Sequence, residues 1–567
     1  MASLKHRSAA ASRMRRISRP RARLCKASLR TERRARKLVA ARACALAVPV
    51  LLSAWTALAQ AQEVLRIGRI DVHSLDVFSP EEAARGWLYR TANALHIKTR
   101  DEFIRKYLLF QEGDPYDPAV LAESERNLRT LHFIKLASVV AGPPHDGVVD
   151  VDVTTQDGWT LELGGNLGSS GGKTTYGVSL SENNLLGTGR QVSIDYDKQV
   201  ERTVRTLSFF DPYLYRPFWR GSFSYENNSD GSRRLAEISR PFYSSTAPWA
   251  TDALYDDLVQ NEKVYTSGVI SSEFRQDHRQ ILAQYGIALT RGDQLAQRIS
   301  GGFNEQFDDF SNLDTRPDDT LPEDRHFRYL FLQYDTISND FLKLNYVNRD
   351  LRYEDFNLGW TLSTRLGVSP KAFGLDRTTG FVSASATRGW RLREGQFVIA
   401  NLSFQTRFGD GIENAILSAG AEFVQKFDTR LLQTFVTRLR YDQGWNLDGD
   451  VQFFADGANG LRGYHLYAFE GNRRFIWNVE QRIFSGKEIL QLVAPGLAVF
   501  FDTGAAVPAG QSFGFHDLKS DIGVGLRLGI ARAPANNILR IDLAYAFNAD
   551  PLGRRGFLVS FSSAQAF

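Results

Sequence analysis

Cysteine and methionine are nearly missing from this chain of 567 residues: each occurs twice, and Met1, Met14, Cys25 and Cys44 all fall in the first 44 positions. Downstream there is no thiol for a disulfide, a thiolate metal site or thiol catalysis. Cys44 precedes an apolar run, which argues against a lipid-anchor cysteine at a cleavage site. Beyond residue 61 no stretch has the eighteen or more apolar residues that a membrane helix needs. Enzyme signals are poor too. Gly168-Ser169-Ser170-Gly171-Gly172 and Gly510-Gln511-Ser512-Phe513-Gly514 fit the nucleophile-elbow spacing, but neither stands between a strand and a helix, so both read as loops. There is no His-Glu-x-x-His and no phosphate-binding loop, and the nine histidines are scattered. No catalytic residue, metal site or cofactor is expected, and the chain does not read as an enzyme.

The charge is unevenly spread. The formal +5 arises from 69 basic and 64 acidic side chains, but fifteen of the basic and one of the acidic residues lie in 1–42. The remainder holds 54 basic against 63 acidic, a balance of −9. The basic character therefore belongs to the leader and gives no argument for nucleic-acid binding. After Arg42 an uncharged run from Ala43 to Leu58 leads into Ala57-Leu58-Ala59 and Ala59-Gln60-Ala61, small-x-small sites of a secretory signal. Residues 1–61 are read as a signal peptide with a long basic n-region; a start at Met14 or later, or disorder of residues 1–30, are the alternatives that its length leaves open.

The chain is rich in aromatics (12%) and glycine (46 residues), yet mean hydropathy is −0.29. A membrane protein without helical spans must be a closed barrel, because an open sheet edge finds no partner in lipid. Barrel strands alternate lipid-facing and lumen-facing residues, so their average looks polar. Residues 63–157 differ from the rest. Val64 to Val72 alternates like a strand. Thr99 to Phe110 reads as a helix, and Asp117-Pro118 starts another with Leu121, Leu128 and Leu131 on one side. Lys135–Val140 and Val148–Thr154 read as strands around the turn 142–147. The order β-α-α-β-β predicts a small α/β domain.

From Gly158 to Phe567 the pattern is strand, turn, strand. Tyr176, Val178 and Leu180 alternate with polar residues, as do Ile522, Val524, Leu526 and Leu528 with Gly523, Gly525, Arg527 and Gly529. Phe557, Val559, Phe561 and the terminal Phe567 are in phase, interrupted by Ser563 and Gln565. The expected fold is an all-β transmembrane barrel of about 16 antiparallel strands, with Pro241–Tyr265 and the acidic stretch Phe303–Phe327 as long loops. That acidic stretch has no calcium-loop spacing and reads as solvated surface.

Leu461-Arg462-Gly463-Tyr464 comes after a Gly- and Asp-rich stretch and precedes the strand Phe475–Phe484. It resembles the sixth-loop motif of the outer-membrane assembly and translocation superfamily (bacterial surface antigen family) that includes BamA and TamA. Phe500-Phe501-Asp502-Thr503-Gly504 is similar to that family's Phe-x-Asp-x-Gly strand motif, here with Phe500 and Gly504 at its ends. Asp521–Arg527 and Leu539–Ala544 resemble its last strands, Asn183–Gly189 its first hairpin, and Asp211-Pro212-Tyr213 an early periplasmic turn. Residues 63–157 look like one POTRA domain, through Gly113-Asp114-Pro115-Tyr116-Asp117 running into Leu121 and Leu128.

The resemblance implies that the motif loop folds back into the lumen. Alternation places Asp502 and Glu480 on the inner face, and a buried guanidinium needs carboxylates, which its planar fork bonds two at a time. Arg462 is therefore expected to pair with Asp502, with Glu480 as second partner. The family further implies an outer-membrane barrel with its POTRA-like domain in the periplasm, embedded in outer-membrane lipid and aiding insertion or translocation of client polypeptides. Clients would be met at the POTRA edge strand and at a barrel seam between the strand near Leu161 and the one ending at Phe567, weakened by Gly164-Gly165, Ser563 and Gln565. Periplasmic chaperones or accessory proteins stay open as partners. A dedicated protein-secretion pore and a surface antigen without translocation activity are the alternatives.

Overall fold

The computed structural model describes residues 65–567 apart from 85, 132, 216–217, 245, 293, 349–352, 430, 488, 490–492, 531–537, 564 and 566–567. The expected signal segment 1–61 and the terminal Phe567 lie outside the described residues.

Alternation beginning at Arg66 produces β1 (Arg66–Leu75), which is followed by α1 (Pro80–Ala84), α2 (Trp87–Leu95), α3 (Asp101–Tyr107), α4 (Pro118–Thr130), β2 (Ile134–Ala141) and β3 (Val148–Asp157). Pro118 suits a first helical position because its missing N–H would have no partner there. Asp117 caps α4 by accepting a bond from the Ala119 N–H at 2.8 Å. The sheet order β1-β3-β2 puts β3 in the middle. Val151 and Val153 of β3 bury against Phe103, Ile104, Leu121 and Leu128 of the helices. The short helices α1 and α2 are absent from the β-α-α-β-β expectation; at five and nine residues they are too brief for periodicity to register.

Residues 161–563 form a closed barrel of 20 strands among the described residues, from Leu161–Ser170 to Gly556–Ser563. Leu163, Val178, Ile194, Leu497, Val524 and Val559 stand exposed on the outer face, whereas Glu480, Arg482, Asp502 and Asp542 are buried on the inner one. That is the sorting a lipid-facing barrel requires.

Twenty strands correct the expected 16, for two physical reasons. The supposed loops are largely strand: Trp249–Thr266 and Leu295–Asn312 each run 18 residues, and Val269–Thr290, between the two, runs 22. About ten residues cross a bilayer, so these strands extend past lipid into water, where neither face must be apolar and alternation fades. Asp308 illustrates this: it is buried inside such a strand and accepts from Gln276 at 3.0 Å. Many connections are also two-residue turns, at 171–172, 229–230, 267–268 and 394–395, which leaves more chain for strands.

The small domain is seated on the barrel end that carries the connections 186–189 and 212–219. Asp157, the last residue of β3, is fully buried. It accepts bonds from the Thr99 N–H (2.7 Å) and Thr99 hydroxyl (2.8 Å) and lies 2.9 Å from His96 Nε2. The Asn184 amide donates to the same hydroxyl at 2.7 Å and accepts from the Gly189 N–H. Gly189, at φ +72°, lies so close to the Phe103 ring that a Cβ would sit 2.5 Å from it. A buried, satisfied polar chain thus runs from the domain into the turn 186–189, which joins the second and third barrel strands; the first hairpin, expected at Asn183–Gly189, instead turns at 171–172.

Candidate functional site: an arginine-anchored loop inside the barrel

Residues 446–472 join the strands Leu432–Trp445 and Arg473–Phe484 and form the eighth of ten connections at their end of the barrel. Asp456 organises the loop. Its carboxylate accepts from the N–H groups of Ala458 (3.0 Å), Asn459 (3.0 Å) and Tyr467 (2.7 Å). Leu461 and Tyr464 then turn away from water and pack with Ala455, Ala468, Ile476 and Ala546. Gly463 allows a flush fit against the wall, since a Cβ there would meet the Asp521 Cβ at 2.7 Å.

Arg462 lies between those residues, 3% exposed, and points at the inner wall. Nε and Nη2 donate to the two Asp502 oxygens at 2.7 and 2.9 Å, and Nη1 donates to Glu480 at 2.5 Å. The guanidinium carbon sits 3.4 Å from the Phe500 ring centroid, a cation–π contact in a dry setting. The carboxylates are shared. Glu480 also accepts from Arg482 (2.9 Å) and Arg527 (3.3 Å), and Arg527 donates to Asp542 at 2.6 Å. Asn478 donates to Asp502 and to the Gly460 carbonyl, both at 2.7 Å. Two adjacent barrel strands thus supply the hydrogen-bond partners of one loop arginine, and the next two extend the charge network through Arg527 and Asp542. Mutual hydrogen bonding of this kind is what makes a buried ion cluster tolerable.

The opposite end of the lumen is also occupied. The connection between the strands Arg325–Ser338 and Thr361–Ser369 holds a hairpin of Phe341–Asn345 and Tyr353–Asn357. Val347 and Leu358 from this connection are fully buried against Phe397, Val424 and Val436, an apolar patch on the inner wall. Arg482 donates to the Val347 carbonyl and to the Asn348 side chain, each at 2.9 Å. The hairpin and the motif loop therefore share Glu480 through Arg482 and Arg462.

The structure brings together Leu461, Arg462, Gly463, Tyr464, Glu480, Phe500 and Asp502. Gly504 borders this group: its Cβ position lies close to the Phe475 carbonyl and to Ile476, which packs with Leu461 and Tyr464. Sequence reasoning missed Arg482, Arg527 and Asp542 as members of the cluster, although inward alternation marked each as lumen-facing. It missed the hairpin 341–357 altogether: strands of five residues in a polar stretch leave no periodic signal. The acidic segment is mostly strand, and Asp319 in the remaining connection accepts from the Glu273 N–H at 2.7 Å. Among the described residues no group of His, Cys, Asp and Glu is placed to hold a metal ion.

A closed antiparallel barrel with an apolar outer face and a charged, loop-filled interior defines a membrane β-barrel of the outer-membrane type. No family model matches the chain. Over 130 residues, 22% of the chain, it is 29% identical to the outer membrane protein assembly factor BamA of Neisseria meningitidis serogroup B. Over 150 residues, 25% of the chain, it is 28% identical to the outer membrane protein assembly factor BamA of Neorickettsia risticii. The matched segments span 16% and 20% of the length of those relatives. Among solved structures, CdiB from Acinetobacter baumannii aligns over 88% of this chain and 74% of its own, with 12% identity and a TM-score of 0.45. Over those segments the chain is similar to BamA, a protein of the outer membrane.

Proposed function

We propose that the protein aids insertion or translocation of client polypeptides at the outer membrane, with its small domain acting as a POTRA-like module in the periplasm. The observation that carries this reading is the seating of Arg462 on Asp502 and Glu480, which fixes a loop inside the barrel where an open channel protein would leave water. Two features supply routes for an extended client. The strand β2 forms one edge of the small sheet and exposes Leu136 and Val140, a surface to which a client can add a strand. The barrel closes between Gly556–Ser563 and Leu161–Ser170, where Phe561 pairs with Ser169 among the described residues. Gly164 and Gly165 lie in that first strand and bring no side chain to its packing.

Depletion of the protein followed by quantification of the outer-membrane proteome tests the reading. Broad loss of barrel proteins supports a general insertase. Loss of one exported protein makes it a dedicated secretion pore. An unchanged proteome leaves a surface antigen without translocation activity.

A further inference from the structure

The motif loop continues past Arg462 into a segment whose contacts cross the barrel seam. Tyr464 donates its hydroxyl to the Ser520 carbonyl at 2.9 Å and reaches Asn548 in the last hairpin at 3.3 Å. His465 lies 3.6 Å from Asp550, also in the last hairpin, and its ring packs over Gly172 at the tip of the first hairpin. The Leu466 N–H donates to the Gly171 carbonyl at 3.2 Å. Tyr467 goes further round the barrel: it donates to Glu201 at 3.0 Å and stacks on Tyr265 at 3.8 Å. Four successive residues thus pass from the last hairpin to the first and beyond.

We propose that residues 464–467 are a clamp on the seam, joining the first and last hairpins at the loop end, and that the seam opens only when this segment releases one of them. The proposal rests on the seam being the client's route. The tip of the first hairpin is shaped for the clamp. Gly171 and Gly172 have φ of +53° and +75°, the mirror-image turn that suits strand twist. That turn accepts asparagine at its first position equally well, so the turn alone does not demand glycine at 171. The clamp does: a Cβ on Gly171 would lie 2.2 Å from the Leu466 nitrogen and 2.8 Å from the His465 carbonyl carbon. The absent side chain at 171 is what lets the loop backbone lie directly on the hairpin. Asp550 stiffens the other anchor by accepting from the N–H groups of Leu552 (3.0 Å) and Arg554 (2.8 Å).

Separating the seam means moving Asp550 away from Gly172, and the loop opposes that motion from both sides. Cross-linking of the paired positions Ser169 and Phe561 reads the closed seam directly. The test uses S169C/F561C in full-length protein with Cys25 and Cys44 replaced by alanine, folded in outer membranes and briefly oxidised. The parent is expected to cross-link nearly completely. Gly171→Asn keeps the turn but displaces the loop, and is expected to raise the open population of the seam about five-fold, the equivalent of one lost hydrogen bond, and so to slow cross-linking. His465→Ala leaves all backbone in place and is expected to slow it less, which keeps the test open if the first variant assembles poorly. Cross-linking of both variants at the parental rate would overturn the clamp. Slower cross-linking with client insertion unchanged in the same cells leaves the clamp standing and removes the seam as the client's route.

Discussion

Arg462 reaches a residue 40 positions away and bonds both carboxylate oxygens of Asp502, with the arginine side chain 3% exposed and the aspartate fully buried. Taking away one partner of such a pair leaves an uncompensated charge in a dry site, which costs about 3–5 kcal/mol. Arg462→Ala is expected to lower the unfolding free energy of the barrel in lipid vesicles by that amount. Arg462→Lys keeps the charge but loses the planar fork and its stacking on Phe500, so a loss of about half that size is expected. Denaturant titration of both variants checks the ranking.

Gly463 has no room for a side chain, because the Asp521 Cβ occupies the space at 2.7 Å. Gly463→Ala is expected to push the loop off the wall at a cost of about 1–3 kcal/mol. Limited trypsin digestion of folded protein should then cut within 446–472, while the parent resists.

Barrels of 16–18 strands leave an aqueous channel, and larger ones are plugged. The hairpin 341–357 and the motif loop fill this 20-stranded lumen from opposite ends. Replacing 341–357 by a short Gly-Ser linker is expected to raise single-channel conductance in planar bilayers well above that of the parent. It also removes the Val347 and Asn348 acceptors of Arg482, so partial loosening of the motif loop should accompany it.

Asp157 ties the small domain to the barrel turn 186–189 through Thr99 and Asn184. Asp157→Ala strands the Thr99 N–H and hydroxyl in a buried place, with a penalty of about 1–3 kcal/mol for each unmet group. Faster amide exchange across 96–100 and 184–189, with exchange in the distant barrel strands unchanged, is the expected signature.

Legibility in the sequence varies by element. Strand identity is readable from alternation wherever one face meets lipid, as at Ile522 to Leu528, because burial there is two-sided and regular. It fails in Trp249–Thr266 and Leu295–Asn312, where strands stand in water and Asp256, Asp257, Asp308 and Asp309 look like loop residues. Strand number inherits that error. The residues around Arg462 are readable because motif spacing and inward phase give Asp502 and Glu480 together. The sharing of Glu480 among Arg462, Arg482 and Arg527 is a property of barrel curvature and register, which no local pattern encodes. The hairpin 341–357 and the contacts of residues 464–467 depend on pairings of segments far apart in the chain, such as Val347 with Val424 and Leu466 with Gly171.

The Arg462–Asp502 pair seats the loop within the barrel. A double-mutant cycle with Arg462→Met and Asp502→Asn, singly and together, measured by unfolding from lipid vesicles, tests it most directly. A coupling of about 2–3 kcal/mol between the two positions is expected. Strict additivity, or a chain that purifies as a detergent-free soluble monomer, would contradict it.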